Sequence, residues 1–513
     1  MNPPHLRPLL LAALLALPLA APAASPGDPW VGTWGVSAMR LNETQYGGHT
    51  LRETVRTSVG GDRVRLRFSN QFGDHPLTLS DVHVALRTTG SAVDPATDHL
   101  VRFSGATSVT LAPGAALQSD PIDFQLPAGS DLSVSFYVPD QSGPATGHGY
   151  SNASKYVAPG NVSGAPDTGG TQDGDFYFLT NVDVQAAGLQ GTIVTLGASG
   201  TDGFGSTLNA NSRYPDFLAR RLIAAGTKVG VVNQGISGDN LINGDNSIMR
   251  RFEQDVLGQT GVRWVIFSDA PLNDIMGHVP EATVETITAD YRTLIASAHA
   301  RGIGFVCATL PTFHGASNWT PDAQAIADGV NAFVRSANSG CDGLLDYNAA
   351  IEDPTRPGYT RPAYLYTDGL HPNDAGYSAV ANAVNLTYFQ PVSLPAITSP
   401  TVCGTMESGE GLRRGESLVS CDGTHAVTLR NDGNLVLTSG NNVLIETGSV
   451  GSDAAQVSLS TDGNLVLQGA LGEILWQSNS GGQNEARMML QGDGNLVIYS
   501  LRGAVWASNT GGR

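Results

Sequence analysis

The sequence predicts a multidomain chain: a β-sandwich, then an α/β domain on a parallel sheet, then a small all-β unit made of repeats. Three observations lead there. The first third alternates apolar and polar side chains with a period of two, as half-buried strands do. The middle alternates short apolar runs with amphipathic helices, the pattern of a parallel sheet covered on both faces. The last fifth repeats one short segment three times. At 513 residues the chain is too long for one core, and about three domains are expected.

The elements follow in order. His5 and Arg7 precede an apolar stretch, Leu9 to Ala20, too short to span a bilayer. Ala21-Pro22-Ala23 then forms an A-x-A cleavage site, so residues 1–23 read as a signal peptide. The expected destination is extracellular or periplasmic, and no later segment is apolar enough to be transmembrane. The formal charge of −18, with only 28 Lys and Arg, argues against nucleic acid or anionic membrane as partners.

Residues 28–188 carry the sandwich. Arg63-Val64-Arg65-Leu66-Arg67-Phe68 alternates strictly, and Val82 to Leu86 and Leu132 to Val138 do the same between Gly, Pro and Asp turns. Pro159 to Gly174 reads as a long loop. Residues 189–391 hold the α/β domain. Its strands are expected at Thr192–Leu196, Val229–Asn233, Arg263–Phe267, Ile303–Ala308 and Gly343–Tyr347, its helices at Tyr214–Ala225, Thr283–Ala300, Asp322–Ala337 and Asp374–Phe389. Residues 392–402, with two prolines and no periodicity, read as a linker. In 403–513, Asn431-Asp432-Gly433-Asn434-Leu435-Val436-Leu437 returns at Thr461–Leu467 and Gly492–Ile498, a period of about 30 residues.

Two separated segments suggest chemistry. Asp368 stands three residues before His371, on a loop expected to open a helix at Pro372, where a carboxylate can orient an imidazole. Far upstream, Thr195-Leu196-Gly197-Ala198-Ser199 ends a strand at a glycine-rich turn that can present a nucleophile. In a parallel sheet such sites gather beyond the carboxyl ends of the strands. Ser199 and Asn273 are expected directly after strands, with Asp368 and His371 brought there by the long loop after Tyr347.

Four blocks in order carry a resemblance: Gly197-Ala198-Ser199-Gly200-Thr201-Asp202-Gly203, Asn233-Gln234-Gly235-Ile236-Ser237-Gly238, Asn273-Asp274, and Asp368 to His371. Over about 200 residues the middle domain resembles the SGNH (GDSL-type) hydrolases, which implies a three-layer, flavodoxin-like α/β fold and serine esterase activity. The resemblance implies Ser199 as nucleophile, His371 as general base and then acid, and Asp368 as its orienter. It implies an oxyanion hole from the backbone N–H groups of Ser199 and Gly238 and the side chain of Asn273. Three positions depart from the family pattern. Ala198 stands for an aspartate, so a polar anchor beside the serine is missing. Gly200 stands for a bulky aliphatic residue, which loosens the turn. Ala270-Pro271 stands for Glu-Gly. Val55 to Ser58 and Arg67 to Asn70 resemble a sandwich that precedes the hydrolase in some secreted members, with a packing or substrate-shaping role expected. His278 and His314 match no block and read as satisfied loop histidines.

The repeats of 403–513 resemble bulb-type (monocot mannose-binding) lectins, which implies a β-prism of three subdomains. The family's sugar motif is complete only in the third copy, at Gln491, Asp493, Asn495, Val497 and Tyr499. Its polar side chains would grip sugar hydroxyls and Val497 would pack on ring carbons. The first copy has Arg430 and Thr438 at the end positions, and the second Ser460 and Gln468, so these two read as structural. Trp476 and Trp506 read as core. Export permits a disulfide between Cys403 and Cys421; Cys307 and Cys341 are buried thiols or a second bridge. No Cys/His cluster has metal spacing, and no metal or organic cofactor is expected. The reading is a secreted carboxylic-ester hydrolase acting on acylated carbohydrate, with mannose-containing glycans as partners. The alternatives are a lipase or phospholipase, or a carbohydrate-binding protein whose hydrolase domain is inactive.

Overall fold

The computed structural model describes residues 28–41, 45–140, 143–389, 394–452, 454–470, 472 and 474–512. The segment read as a signal peptide lies outside them, as does the start of the linker.

Two antiparallel sheets make the sandwich. One runs Trp30–Gly35, Leu179–Gln185, Gly61–Ser69, Ile122–Leu126. The other is centred on His49–Arg56, Asp131–Val138 and Leu77–Thr89. The alternation seen in the sequence becomes a division of faces. Val64, Leu66 and Phe68 are fully buried between the sheets, while Arg63 and Arg65 reach outward, Arg65 to Asp183 at 3.0 Å. The stretch from Pro159 to Gly174 is not loop throughout: Thr171–Asp173 pairs with Lys155–Pro159. The turn between them is packed because the buried guanidinium of Arg52 donates to the carbonyls of Ser163 and Ala165, at 3.0 and 2.7 Å. Buried carbonyls thus find a charged donor.

Five parallel strands, β1 (Gly191–Gly197), β2 (Val229–Gly235), β3 (Val262–Phe267), β4 (Gly304–Ala308) and β5 (Gly343–Leu345), form the central sheet in the order β2-β1-β3-β4-β5. Strand order reverses at β1, which makes its carboxyl end the crevice of the fold. A sheet buried on both faces needs apolar residues on both sides of each strand. Val194 and Leu196 of β1 pack with α4 (Val284–His299) and α5 (Pro321–Arg335) on one face. Ile193 packs with α2 (Tyr214–Ala224) and α6 (Asp374–Ala383) on the other. Helix α6 starts at Asp374, as its expected range has it, with Asn373 as the cap: its side chain accepts from the N–H groups of Ala375 and Gly376. It stops at Ala383, short of the expected Phe389, before a 3₁₀ turn at Leu386–Tyr388. Cys307 of β4 is bonded to Cys341, just before β5.

The sandwich is docked on the central parallel sheet rather than tethered beside it. Gly32 N–H donates to Thr192 Oγ1 at 2.8 Å, and the Ser37 hydroxyl to Gln234 Oε1 at 2.8 Å. Every residue of Leu179–Gln185 is buried, and its outward polar side chains meet the middle domain: Asn181 Nδ2 donates to Gln259 Oε1 at 2.7 Å, and Asp183 accepts from Thr260 Oγ1 at 2.8 Å.

Residues 405–507 build three four-stranded sheets around one apolar core. Each repeat supplies three strands, and the fourth comes from the segment before the first repeat. Thr405–Glu407 joins the third repeat, Gly411–Arg413 the second, and Ser417–Val419 the first. Cys403 and Cys421, bonded to each other, bracket this leader. Trp476 and Trp506 meet edge to face at 6.0 Å against the core. The linker is partly packed: Ile397 is buried, and Gln456 donates to the Pro395 carbonyl at 3.2 Å. Among the described residues no helix is long and apolar enough to cross a membrane.

Candidate active site

Ser199 opens a one-turn helix, α1 (Ser199–Asp202), at the end of β1. His371 lies on the loop before α6, and its Nε2 sits 2.7 Å from Ser199 Oγ. On the other side of the ring, Nδ1 lies 2.6 Å from Asp368 Oδ2. A carboxylate can only accept, so Nδ1 carries the proton and Nε2 is left to accept from the serine hydroxyl. The second oxygen of Asp368 accepts from the N–H groups of Leu370 and His371, both at 3.0 Å. Burial pushes the Asp368 carboxyl up, but these two N–H groups and the imidazole outweigh it and hold it below its ordinary value. The tetrad is therefore self-bracing: one carboxylate fixes both the loop backbone and the ring it carries.

The segments that carry the expected donors are bonded to one another: Ser237 donates to Asp202 of α1, and Asn273 to the Asp239 carbonyl. Among the described residues the N–H groups of Ser199 and Gly238 have no acceptor. Gly238 has φ 83°, a left-handed turn that favours glycine and leaves its N–H exposed. Asn273 does not follow β3 directly; it lies within α3 (Ala270–Met276). One Nδ2–H of Asn273 is committed to the Asp239 carbonyl at 2.6 Å, which fixes the amide and leaves its other N–H to donate. Asp274, fully buried, accepts from Leu241 N–H at 2.6 Å and so ties α3 to the same loop. Burial pushes Asp239 up to about 6, against the pull of Arg251, whose Nε is 2.8 Å from the carboxylate.

The loss of an anchor at Ala198 and the loosening at Gly200 are not what the structure shows. Asp269, 5 % exposed and just past β3, occupies the turn from the neighbouring strand. Its carboxylate accepts from Ala198 N–H at 3.1 Å, Gly200 N–H at 2.6 Å, Thr201 Oγ1 at 2.7 Å and Ser268 Oγ at 2.8 Å. Gly200 is what makes room: a Cβ there would lie 2.9 Å from Asp269 Oδ2 and 3.1 Å from its Cγ. The absent side chain at 200 and the carboxylate at 269 are two halves of one arrangement. The signal was present in the sequence as two oddities in the first block and a carboxylate shortly before Asn273.

A second missed group comes from the sandwich. His148, 2 % exposed, faces Asp202 Oδ1 at 3.0 Å through Nε2 and the Ser37 carbonyl at 2.9 Å through Nδ1. The other oxygen of Asp202 accepts from Ser237 N–H at 3.0 Å and Ser237 Oγ at 2.6 Å. The sandwich thus reaches, through two residues, the loop that carries Gly238. No local pattern announces a pairing between residues so far apart. His314 is stacked between Trp319 and Tyr359, with ring centroids 4.0 and 4.3 Å away; His278 lies exposed at φ 52°.

In the C-terminal prism the three motif asparagines differ. Asn434 Nδ2 donates to Glu446 at 2.9 Å, and Asn464 Nδ2 to Gln477 at 2.8 Å. The third copy has Ala507 at the matching strand end, and among the described residues Asn495 Nδ2 has no acceptor. Its Oδ1 is held by Ser508 and Thr510, so the amide is oriented with its donor free. Gln491 Nε2 reaches Tyr499 Oη at 2.8 Å, and the Asp493 side chain accepts from Asn495 N–H at 2.9 Å. Val497 is only 3 % exposed, so it has little surface to lay against a ring.

Residues 195–379 match the model of the GDSL-like lipase/acylhydrolase family. No curated protein matches the chain. Among solved structures, the chain is similar to a putative lipolytic protein of the G-D-S-L family from Desulfitobacterium hafniense, at 20 % identity over 37 % of this chain and 96 % of that one, TM-score 0.30. It is also similar to the mannose-specific agglutinin of snowdrop (Galanthus nivalis) bulbs, at 37 % identity over 21 % of this chain and 96 % of that one, TM-score 0.19. A monomeric mannose-binding lectin from Gastrodia elata shares 33 % identity over 21 % of this chain and 98 % of its own, TM-score 0.20.

Proposed function

From a central domain of the GDSL-like acylhydrolase type, which acts on carboxylic ester bonds, we propose that this chain is an exported serine esterase for acylated carbohydrate. The observation that carries the reading is the unbroken chain Asp368–His371–Ser199, with contacts of 2.6 and 2.7 Å. As Ser199 Oγ attacks the ester carbonyl, its proton passes to His371 Nε2, and Asp368 stabilises the imidazolium. The carbonyl oxygen, now anionic, accepts from Ser199 N–H, Gly238 N–H and the uncommitted N–H of Asn273. Each such donor is worth about 3 kcal/mol in the transition state. His371 then returns the proton to the leaving alcohol. Water repeats the sequence on the acyl-serine with the same base, releasing the acid.

Two features support the finer parts. A carbohydrate substrate is favoured by the prism, where Asn495 keeps a free, oriented amide donor beside Gln491, Asp493 and Tyr499. We assign mannose-type glycan binding to that third site alone. Export is favoured by the apolar start of the chain and by the Cys307–Cys341 and Cys403–Cys421 bonds, which persist in oxidising compartments. The test is hydrolysis of a short-chain aryl ester by wild type and Ser199→Ala. Turnover by wild type, lost in the variant, is expected; equal turnover by both would sink the assignment.

A further inference from the structure

Three aromatic rings stand in a row beside the catalytic imidazole. Phe204, on the turn after α1, has its ring centroid 4.7 Å from that of His371. Tyr366, two residues before Asp368, lies 6.1 Å from Phe204 at an interplanar angle of 88°. Tyr150, from the sandwich, lies 6.4 Å from Phe204 at 63°. The rings are not burying one another: Tyr150 is 69 % exposed and Tyr366 38 % exposed, among the few large hydrophobic side chains left open in the described residues.

The backbone under each ring is nevertheless held, that of Phe204 by its N–H donating to the Ser199 carbonyl at 2.9 Å. Tyr150 sits at φ 55°, a conformation uncommon for a bulky residue, and its N–H donates to Asp175 Oδ1 at 3.2 Å. Strain of this kind persists only where the surroundings enforce it, and it clusters at ligand sites. The enforcing contacts cross the domain boundary: Asn152 Nδ2 donates to Gly203 O at 2.8 Å, and Asn209 N–H to Asn152 O at 3.0 Å. Tyr366 N–H donates to the His371 carbonyl at 2.7 Å, which ties the backbone that carries this ring to the tetrad itself.

The chemistry says which part of a substrate meets this wall. His371 must reach the oxygen of the leaving alcohol to protonate it, so the alcohol portion departs from the His371 side of the scissile bond. Phe204 flanks that side. An alkyl alcohol would call for an enclosed apolar groove. The wall is open, and two of its three rings are tyrosines that offer an apolar face with a polar tip. That combination suits a pyranose, whose C–H face can lie on a ring while its hydroxyls stay hydrated.

We propose that Tyr150, Phe204 and Tyr366 form the alcohol-side subsite, an aromatic platform for the sugar ring of an acylated carbohydrate, to which the sandwich contributes the outer ring. This rests on the serine esterase reading above. It gives the sandwich a share in substrate selection, because the hydrolase domain alone lacks Tyr150.

The test compares one acyl group on three alcohols: an acetylated methyl mannopyranoside, ethyl acetate and octyl acetate. In the full-length chain, Tyr150→Ala and Tyr366→Ala should lower kcat/KM on the sugar ester about tenfold more than on ethyl acetate, mainly through KM. Tyr150→Phe should keep most of the preference, since the ring remains. An equal loss on both acetates would mean a structural role and overturn the proposal. So would a selective loss on octyl acetate, which would mark a lipid-alcohol groove, or wild-type turnover of ethyl acetate with none of the sugar ester. Failure of wild type on all three esters would instead overturn the esterase reading on which the platform depends.

Discussion

Replacing Asp269 by alanine should cripple the enzyme without touching any group that meets the substrate. The carboxylate holds the buried N–H groups of Ala198 and Gly200, on either side of Ser199. Stranding a buried donor costs about 1–3 kcal/mol, so two set the loss of stability at about 4 kcal/mol. The hydroxyls of Thr201 and Ser268 add less, because they lie 2.5 Å apart and one can donate to the other once Asp269 is gone. In a domain of this size that loss lowers Tm by about 10 °C. The catalytic loss should be larger in proportion, since a shift of about 1 Å in a reacting group costs about a hundredfold in rate. We expect kcat on a small ester to fall by about that factor with KM little changed. Asp269→Asn, which keeps one acceptor oxygen, should fall between wild type and alanine. Gly200→Ala supplies the control. Its Cβ would press on Asp269 Oδ2, so it should harm wild type more than it harms Asp269→Ala, giving a coupling energy of about 1 kcal/mol. Unchanged kcat in Asp269→Ala at a temperature where it is folded, or strictly additive effects of the two substitutions, would refute the clamp.

Four further outcomes are expected. A serine-reactive phosphonate should label Ser199 and no other residue, and Ser199→Ala should escape labelling while unfolding at the wild-type temperature. Asp368→Asn should lower kcat less than His371→Ala, because His371 moves the proton and Asp368 orients and stabilises it; equal, negligible losses would make the tetrad a structural loop. Truncation after Phe389 should spare turnover of a small ester and abolish binding to a mannose-containing polymer. Asn495→Ala should weaken that binding, as should Ala507→Gln, which restores the internal acceptor of the second copy. Asp239 should also leave a mark on the pH dependence of stability. Its folded value, about 6, lies above the ordinary carboxylate value, so its contribution is complete below about pH 4 and is lost as pH rises through 6. Asp239→Asn should therefore gain stability relative to wild type between those limits, read as the difference in Tm; a constant difference would show that the group does not titrate there.

The fold was legible where burial repeats with a simple period. Val64, Leu66 and Phe68 alternate with arginines because one face of their strand meets a core and the other does not. The five apolar runs of the middle domain became its five strands because a doubly covered sheet needs continuous apolar runs. Boundaries were read less well where apolar residues continue past the helix, as at the end of α6, which stops at Ala383 although the apolar run extends to Phe389. In the site, Asp368 and His371 were legible because their spacing is itself the chemistry, and Ser199 because it ends a strand at a glycine-rich turn. Asp269 was not, because its role depends on space vacated at Gly200 across the sheet. His148 was beyond reach, since nothing near it in the chain refers to Asp202. The Cys307–Cys341 bond depended on which loop ends beside β4, a matter of topology.

The leader of the prism has a consequence for how that domain can be made and altered. Its three short strands are dealt out one to each sheet, in reverse order, so the strand nearest the amino end completes the sheet made last. No repeat closes on its neighbour alone, as a unit of a solenoid would. A nascent chain must hold the first strand of the leader open until the third repeat emerges, so folding of this domain is dominated by distant contacts. Its size is also capped. A duplicated fourth repeat would find no strand waiting for it, so this architecture can change the chemistry of its three faces but not their number.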